Sequence, residues 1–303
     1  MMEQSWEQIL AGFQAYLSLE RSLSVHTRNS YSADVAKLKQ WRPQSNPCTF
    51  QQEDLTAFMV WIGELGFTPV SQARILSGVK AFYRYLLLDR QIALNPAAHL
   101  HTPKTGRKLP VFLSPDEVEL MIQSVDRSKP FGERDAAILE VLYSCGLRVS
   151  ELTGLKMQDV FAEESLLRVT GKGNKQRLVP VGGIALKQLG VYFSAVRNHQ
   201  EIHPAHKDYV FLNRFGKQLS RVSVFTMIRD LASICGIQKS ISPHTFRHSF
   251  ATALVEAGAD LRAVQEMLGH ESITTTEIYT HLETDYLKST IMQFHPASKR
   301  KRS

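Results

Sequence analysis

The chain has 303 residues, 43% of them hydrophobic, a length that suggests two domains and a composition that excludes a disordered polymer. No apolar run approaches 18 residues, and the opening MMEQSWEQIL lacks the basic-then-apolar order of a signal peptide, so neither a membrane span nor export is expected. The net charge of +7 invites an anionic partner, but Lys299, Arg300, Lys301 and Arg302 supply four of those charges, and the rest of the chain carries an unremarkable excess. Cys48, Cys145 and Cys235 are scattered without CxxC spacing, which argues against a disulfide framework or a zinc knuckle and fits the reduced cytoplasm.

Residues 5–100 read as helices. Leu10, Phe13, Tyr16 and Leu17 recur at helical spacing. Ser24 can cap a second helix with Tyr31, Val35, Leu38 and Trp41 on one side. A third runs from Asp54 to Leu65 with Leu55, Phe58, Met59 and Ile62 together. Thr68-Pro69 opens a fourth, with Ile75, Val79, Phe82, Tyr83 and Leu86 inward, and Asn95-Pro96 is expected to end it. HTPKTGRKLPVFLS, with its prolines, glycine and basic residues, is linker chemistry. Ser114-Pro115-Asp116-Glu117 then gives a cap, a proline at the first helical position and a glutamate three residues after the cap, the start of a second domain. That domain reads as mainly helical with one small sheet: Leu166–Thr170 and Gln176–Val181 flank the glycine turn GKGN as a hairpin, with Tyr209–Leu212 as a candidate edge strand. Helices are expected to resume at Val222 and run to about Gln293.

Five places expose a reactive side chain. Arg148 follows Gly146, which can cap the apolar helix 136–144, and opens a short helix containing Glu151. Lys172 sits in the hairpin turn. His244 and Arg247 share one face of a helix that Ser242 can cap and Pro243 can start. His270 follows Leu268-Gly269 at a helix end, and Tyr279 lies on a short segment that Ser272 can cap. Each has an ordinary alternative: a solvated arginine, a turn lysine, a packing tyrosine. His244 and His248 are spaced as on a zinc helix, but HTFRH lacks the glutamate of HExxH and places an arginine where a cation would bind, so zinc is not expected.

The order decides among these readings. R-x-x-E at 148–151, Lys172, H-x-x-R at 244–247, L-G-H at 268–270 and a tyrosine nine residues later resemble the tyrosine recombinase (phage-integrase) family. CGLRVSEL, GKGNKQRLVPV, SPHTFRHSFAT and MLGHESITTTEIYTH are most similar to its Xer branch of XerC- and XerD-like recombinases, and the terminal FHP at 294–296 resembles XerD-type chains. Ala253 departs from the pattern, where relatives often carry histidine after the FAT triplet.

The resemblance implies a C-shaped clamp of two domains: a helical, SAM-like core-binding domain over 1–100, a basic linker at 101–113, a catalytic domain of helices with a small antiparallel sheet over 114–296, and a basic tail at 297–303. It implies Arg148, Lys172, His244, Arg247, His270 and Tyr279 as the catalytic set, with Glu151 orienting its neighbours. Two forked guanidiniums and His270 suit the non-bridging oxygens of a phosphodiester in its transition state. Lys172 is then the general acid for the leaving 5′ oxygen, His244 either assists proton transfer at the tyrosine or bonds the phosphate, and Tyr279 forms the 3′-phosphotyrosyl intermediate. A phenol titrates near pH 10, so the surrounding cations are needed to favour its ionised form. No cofactor is expected: the GxxxxGK[ST] loop is missing and the carboxylates do not gather as paired magnesium ligands.

The partner implied is double-stranded DNA at paired sites, held by a tetramer that exchanges strands through a Holliday junction. A second Xer recombinase and the septal translocase FtsK are further implied partners, with chromosome-dimer resolution at cell division as the role, a nucleoid-associated place in the cytoplasm and no membrane contact. The segment from about Leu282 to Pro296 is expected to dock on a neighbouring protomer, with packing on its own chain as the alternative. Lys80, Arg84, Lys104, Arg107, Lys175 and Arg177 are candidates for phosphate contacts, each with a solvated face as the alternative. An inactive DNA-binding relative would have lost part of the catalytic set, and a type IB topoisomerase shares much of that set but works as a monomer.

Overall fold

The computed structural model describes residues 5–21, 23–102, 111–269 and 281–299, with the side chains of 172, 281–283 and 299 outside the description. The chain divides into two compact units, Met1–Lys108 and Leu109–Ser303. No described helix is long and apolar enough to cross a membrane.

The first unit holds helices α1 (Trp6–Leu19), α2 (Val25–Trp41), α3 (Gln52–Glu64) and α4 (Pro69–Leu88). Each start has a local cause: Ser5, Ser24 and Thr68 accept backbone N–H bonds from Gln8, Thr27 and Ser71, and Asp54 accepts from the Gln51 N–H. Phe13, Leu17, Val35, Leu38, Leu55, Phe58, Ile62, Val79, Phe82 and Leu86 are all at most 1% exposed and form one core. Each such side chain removed from water contributes about 1.5–3 kcal/mol, far above what helix propensity alone supplies to segments of this length. The sequence expectation for the end of α4 needs correcting. The helix stops at Leu88, not Asn95, because Arg90 turns left-handed (φ 56°) and the Gln91 N–H reaches back to the Leu86 carbonyl.

The second unit runs α5 (Pro115–Gln123), α6 (Gly132–Cys145), α7 (Val149–Gly154), β1 (Val160–Phe161), β2 (Leu166–Thr170), β3 (Gln176–Pro180), α8 (Gly183–Ala195), α9 (Arg221–Ile234), α10 (Pro243–Glu256), α11 (Leu261–Leu268) and α12 (His281–Phe294). The three strands form an antiparallel sheet in the order β1-β2-β3, with Thr170 opposite Gln176 at the hairpin end. The third strand is Val160–Phe161, not Tyr209–Leu212: Tyr209 and Leu212 make only isolated bridges, to Lys156 and Gln218. Helix α8, which the sequence reading passed over, packs against α6 through Ala185, Leu189 and Tyr192. Nearly every position of α6 from Ala136 to Cys145 is buried, which makes it the central helix of this unit.

Helix α11 has only eight residues and would be marginal alone. It is held by Ala263, Val264, Met267 and Leu268, which pack with Phe250 and Leu254 of α10 and with Leu287 and Ile291 of α12. Thus α12 packs on its own unit. Beyond it, His295 is fully buried with its ring 4.7 Å from that of Tyr143 and 5.3 Å from that of Phe250.

Candidate active site

Two helix ends frame the site. Helix α6 closes on Gly146 and α11 on Gly269, both left-handed (φ 59° and 66°). Neither position has room for a side chain: a Cβ at Gly146 would lie 2.4 Å from the Phe250 ring, and one at Gly269 would lie 3.0 Å from Arg177 Cδ. The last carbonyls of a helix lack partners within it and carry the negative end of its dipole. Here they turn to three arginines. Gly146 O accepts from Arg247 Nη1 at 2.8 Å and Leu268 O from Arg247 Nη2. Met267 O accepts from Arg177 Nε at 2.9 Å, and Gly269 O from Arg148 Nη2 at 3.4 Å.

The same arginines surround one carboxylate. Arg148 is the N-cap of α7; its backbone N–H donates to Glu151 Oε2 and its Nη1 to Oε1, both at 2.8 Å. Arg177 grips Glu151 with both terminal nitrogens, at 2.8 and 2.9 Å, and Arg247 Nη1 stands 4.0 Å from Oε2. The Glu151 side chain is 1% exposed. Burial works against its charge, but the two bonds from Arg177, with those from Arg148, outweigh it and hold the carboxyl below its usual range. Arg247 is also buried; loss of solvent and the neighbouring Arg148 push its pKa down to about 10, so it remains a cation at neutral pH.

Three guanidiniums facing one carboxylate leave two positive charges uncompensated, and Arg148, with 42% of its side chain exposed, opens this excess to solvent. Such an arrangement is suited to a dianionic or trigonal oxyanion such as a phosphate in transfer. The GKGN turn begins beside it, since a Cβ at Gly171 would lie 3.5 Å from Glu151 Oε1. Lys172 occupies that turn, which Gly173 (φ 72°) and Asn174 (φ 60°) tighten; the lysine side chain lies outside the described residues. His244, in the first turn of α10, is exposed, its ring 4.4 Å from that of His248. Partial burial, then His248, Arg247 and Arg148, lower its pKa below the ordinary histidine value.

The structure therefore gathers Arg148, Glu151, Arg247 and the turn bearing Lys172. Of the remaining expected catalytic residues, His270 and Tyr279 lie outside the described residues, as do Lys104 and Arg107 of the linker. Among the other basic candidates, Lys175 and Arg84 are exposed and Lys80 is half-buried. Arg177 differs from its expectation as a backbone-tracking surface residue: its side chain is 8% exposed and its nitrogens are engaged inside the protein. One sequence signal pointed inward. Arg177 has the same strand parity as Val179, which is buried, and pairs with buried Val169.

With this geometry in view, the chain's membership is plain: it belongs to the phage integrase family. Residues 111–285 match that family's model and residues 10–89 match the model of the phage integrase N-terminal SAM-like domain. The chain is a site-specific tyrosine recombinase, similar over nearly its whole length to tyrosine recombinases XerD. It is 42% identical to that of Chlorobaculum tepidum, over 97% of this chain and 98% of the relative. To that of Pseudomonas putida it is 41% identical, over 92% of this chain and 94% of the relative. Its fold also matches the XerH site-specific recombinase solved in a pre-cleavage complex with its difH substrate, with a TM-score of 0.71 at 20% identity, covering 90% of this chain and 92% of the other.

Proposed function

We propose that this recombinase cleaves and rejoins duplex DNA with Tyr279 as nucleophile. The tyrosine oxygen attacks the scissile phosphorus, forming a 3′-phosphotyrosyl bond as the bond to the 5′ oxygen breaks, and the 5′ oxygen leaves as a hydroxyl after taking a proton from Lys172. Arg148 and Arg247 neutralise the phosphate, with His270 as a further donor, and Glu151 sets the guanidiniums in place. Partial burial, with its cationic neighbours, lowers the His244 pKa and so favours the neutral imidazole that a proton acceptor requires. The observation that carries this reading is the surplus of guanidinium around the buried Glu151, since a merely structural ion pair needs no second and third cation.

The unit 1–100 is the core-binding domain and 114–296 the catalytic domain, joined by the basic linker 101–113 and followed by the tail 297–303. Lys80, Arg84 and Lys175, with Lys104 and Arg107, contribute phosphate contacts and salt dependence. Four protomers act on paired sites through a Holliday junction, either of this chain alone or with a second Xer recombinase. The process served is chromosome-dimer resolution at the nucleoid, with FtsK as partner. Support for these last points is the similarity of the catalytic segments to the Xer branch.

A nicked suicide duplex tests the chemistry. The unsubstituted chain is expected to trap covalently on the 3′ end and Tyr279→Phe to give no adduct; an adduct in Tyr279→Phe sinks the assignment. Lys172→Ala is expected to lose cleavage of a normal 5′ oxygen and regain it with a 5′-bridging phosphorothiolate, whose leaving group needs no proton. Equal defects on both substrates would remove Lys172 from the general-acid role.

A further inference from the structure

Arg177 belongs to no part of the catalytic set described above, yet its side chain ties two elements of the frame to β3. It sits on β3, five residues after Lys172, in the strand that closes the hairpin. Its two terminal nitrogens hold both oxygens of Glu151 on α7, and its Nε holds the carbonyl of Met267 at the end of α11. Its Cδ lies 3.0 Å from where a Cβ on Gly269 would stand, so the residue immediately before His270 packs closely on it. On the other arm at the same turn, a Cβ on Gly171 would lie 3.5 Å from Oε1 of the carboxylate that Arg177 grips.

We propose that Arg177 is a positioning residue for strand cleavage: it fixes the hairpin, α7 and the α11 terminus in one register, so that Lys172, Arg148 and His270 converge on the same phosphate. The inference rests on the recombinase chemistry proposed above. Arg177 acts through Glu151 and through backbone and does not itself touch DNA. A guanidinium is required because three directed N–H groups must reach three acceptors in one plane, two carboxylate oxygens and a carbonyl. Lysine supplies the charge without the fork.

The test separates rate from fold. Single-turnover cleavage is measured on a nicked duplex carrying the sequence this chain itself captures covalently, with DNA affinity and thermal unfolding followed alongside. Arg177→Lys is expected to keep the full amplitude of covalent complex and the affinity for DNA, while the cleavage rate constant falls by about tenfold or more, on the scale of the losses that ångström-level misplacement of catalytic groups causes. The 5′-bridging phosphorothiolate should restore only part of that rate, because Arg148 stays displaced when the need for Lys172 is removed. A residue that only supports folding behaves otherwise: amplitude falls with the fraction folded while the rate constant of the active molecules is unchanged, and that result overturns the proposal. If Arg177→Lys does not fold, Arg177→Gln, which leaves Glu151 and its bonds to Arg148 in place, is read the same way. Failure of the unsubstituted chain to trap DNA would overturn the recombinase reading and this inference with it. Trapping at equal rates by both proteins would overturn this inference alone.

Discussion

Each unit holds a buried carboxylate beside arginine, Asp34 in the first and Glu151 in the second, and these two are treated oppositely. In the first unit Asp34 on α2 is fully buried and paired by Arg74 of α4, with contacts of 2.7 and 2.8 Å; half of the Arg74 side chain remains in water. Burial dominates there and raises the Asp34 pKa, although Arg74 pulls the other way. In the second unit Glu151 is buried to the same degree but is met by Arg177, Arg148 and the nearby Arg247, and its pKa is lowered. One cation roughly balances a buried charge. Three overshoot it, and the excess is what makes an anion site rather than a structural pair.

The largest difference is expected from removing each carboxylate. Glu151→Gln leaves buried guanidiniums without their counter-charge and should destabilise the second unit by about 3–5 kcal/mol, whereas Asp34→Asn should cost about 1 kcal/mol or less, because Arg74 can turn fully to solvent. All three tryptophans, Trp6, Trp41 and Trp61, lie in the first unit, so urea titration by their fluorescence reads that unit, and hydrogen exchange in α6 and α7 reads the other. Equal losses would erase the distinction. Acid should separate the units further. The lowered Glu151 pKa gives stability that is present above its unfolded value near 4.5 and is lost as pH falls through the folded value. The raised Asp34 pKa has the opposite sign: the first unit gains stability as pH falls from neutral through that group's folded value.

A smaller effect comes from two glycines that each fit one of these clusters. Gly269→Ala must hold an alanine at φ 66° and press a methyl on Arg177, so it should cost about 1–2 kcal/mol from the backbone alone and also slow cleavage. Gly78→Ala places a Cβ 2.6 Å from Asp34 Oδ2 and 2.7 Å from Asp34 Cβ, an overlap that about 1 kcal/mol of helix propensity does not remove, so it should cost about 1–3 kcal/mol while cleavage by folded protein is unchanged. Slower cleavage by folded Gly78→Ala, or an unchanged cleavage rate for Gly269→Ala, would break the contrast between the two clusters. The smallest effect is electrostatic. Removing one neighbour by His248→Ala should move the His244 titration upward, observed as imidazole chemical shifts against pH; an unmoved midpoint would show that burial and the two arginines set it without His248.

Much of this architecture was written locally. Ser24, Thr68 and Ser114 each accept a hydrogen bond at a helix start, so caps and proline positions placed these three helices without tertiary information. The order of Arg148, Lys172, His244 and Arg247 pointed to one site before any distance was known, and Gly146 was legible as a helix cap because left-handed backbone favours glycine. The failures are non-local. Val160–Phe161 is a strand only because β2 lies beside it, and nothing in two residues announces a partner. The run Leu86-Leu87-Leu88 hides the end of α4, which a left-handed arginine makes instead of a glycine or proline. Arg177 was misplaced because an arginine near a polar turn has the same composition whether it faces water or Glu151, and only the strand's two-residue alternation distinguished the faces.

The acceptors at Gly146, Met267, Leu268 and Gly269 are main-chain carbonyls, and a carbonyl is encoded at every position whatever the codon. Exchange of Met267 or Leu268 for another apolar residue alters the volume of a core but withdraws no partner from an arginine. The cradle is thus insulated from most sequence drift in the helices that build it. Its heritable information is concentrated in the arginines it holds, in Glu151 and in the two glycines that let the helix ends turn toward them.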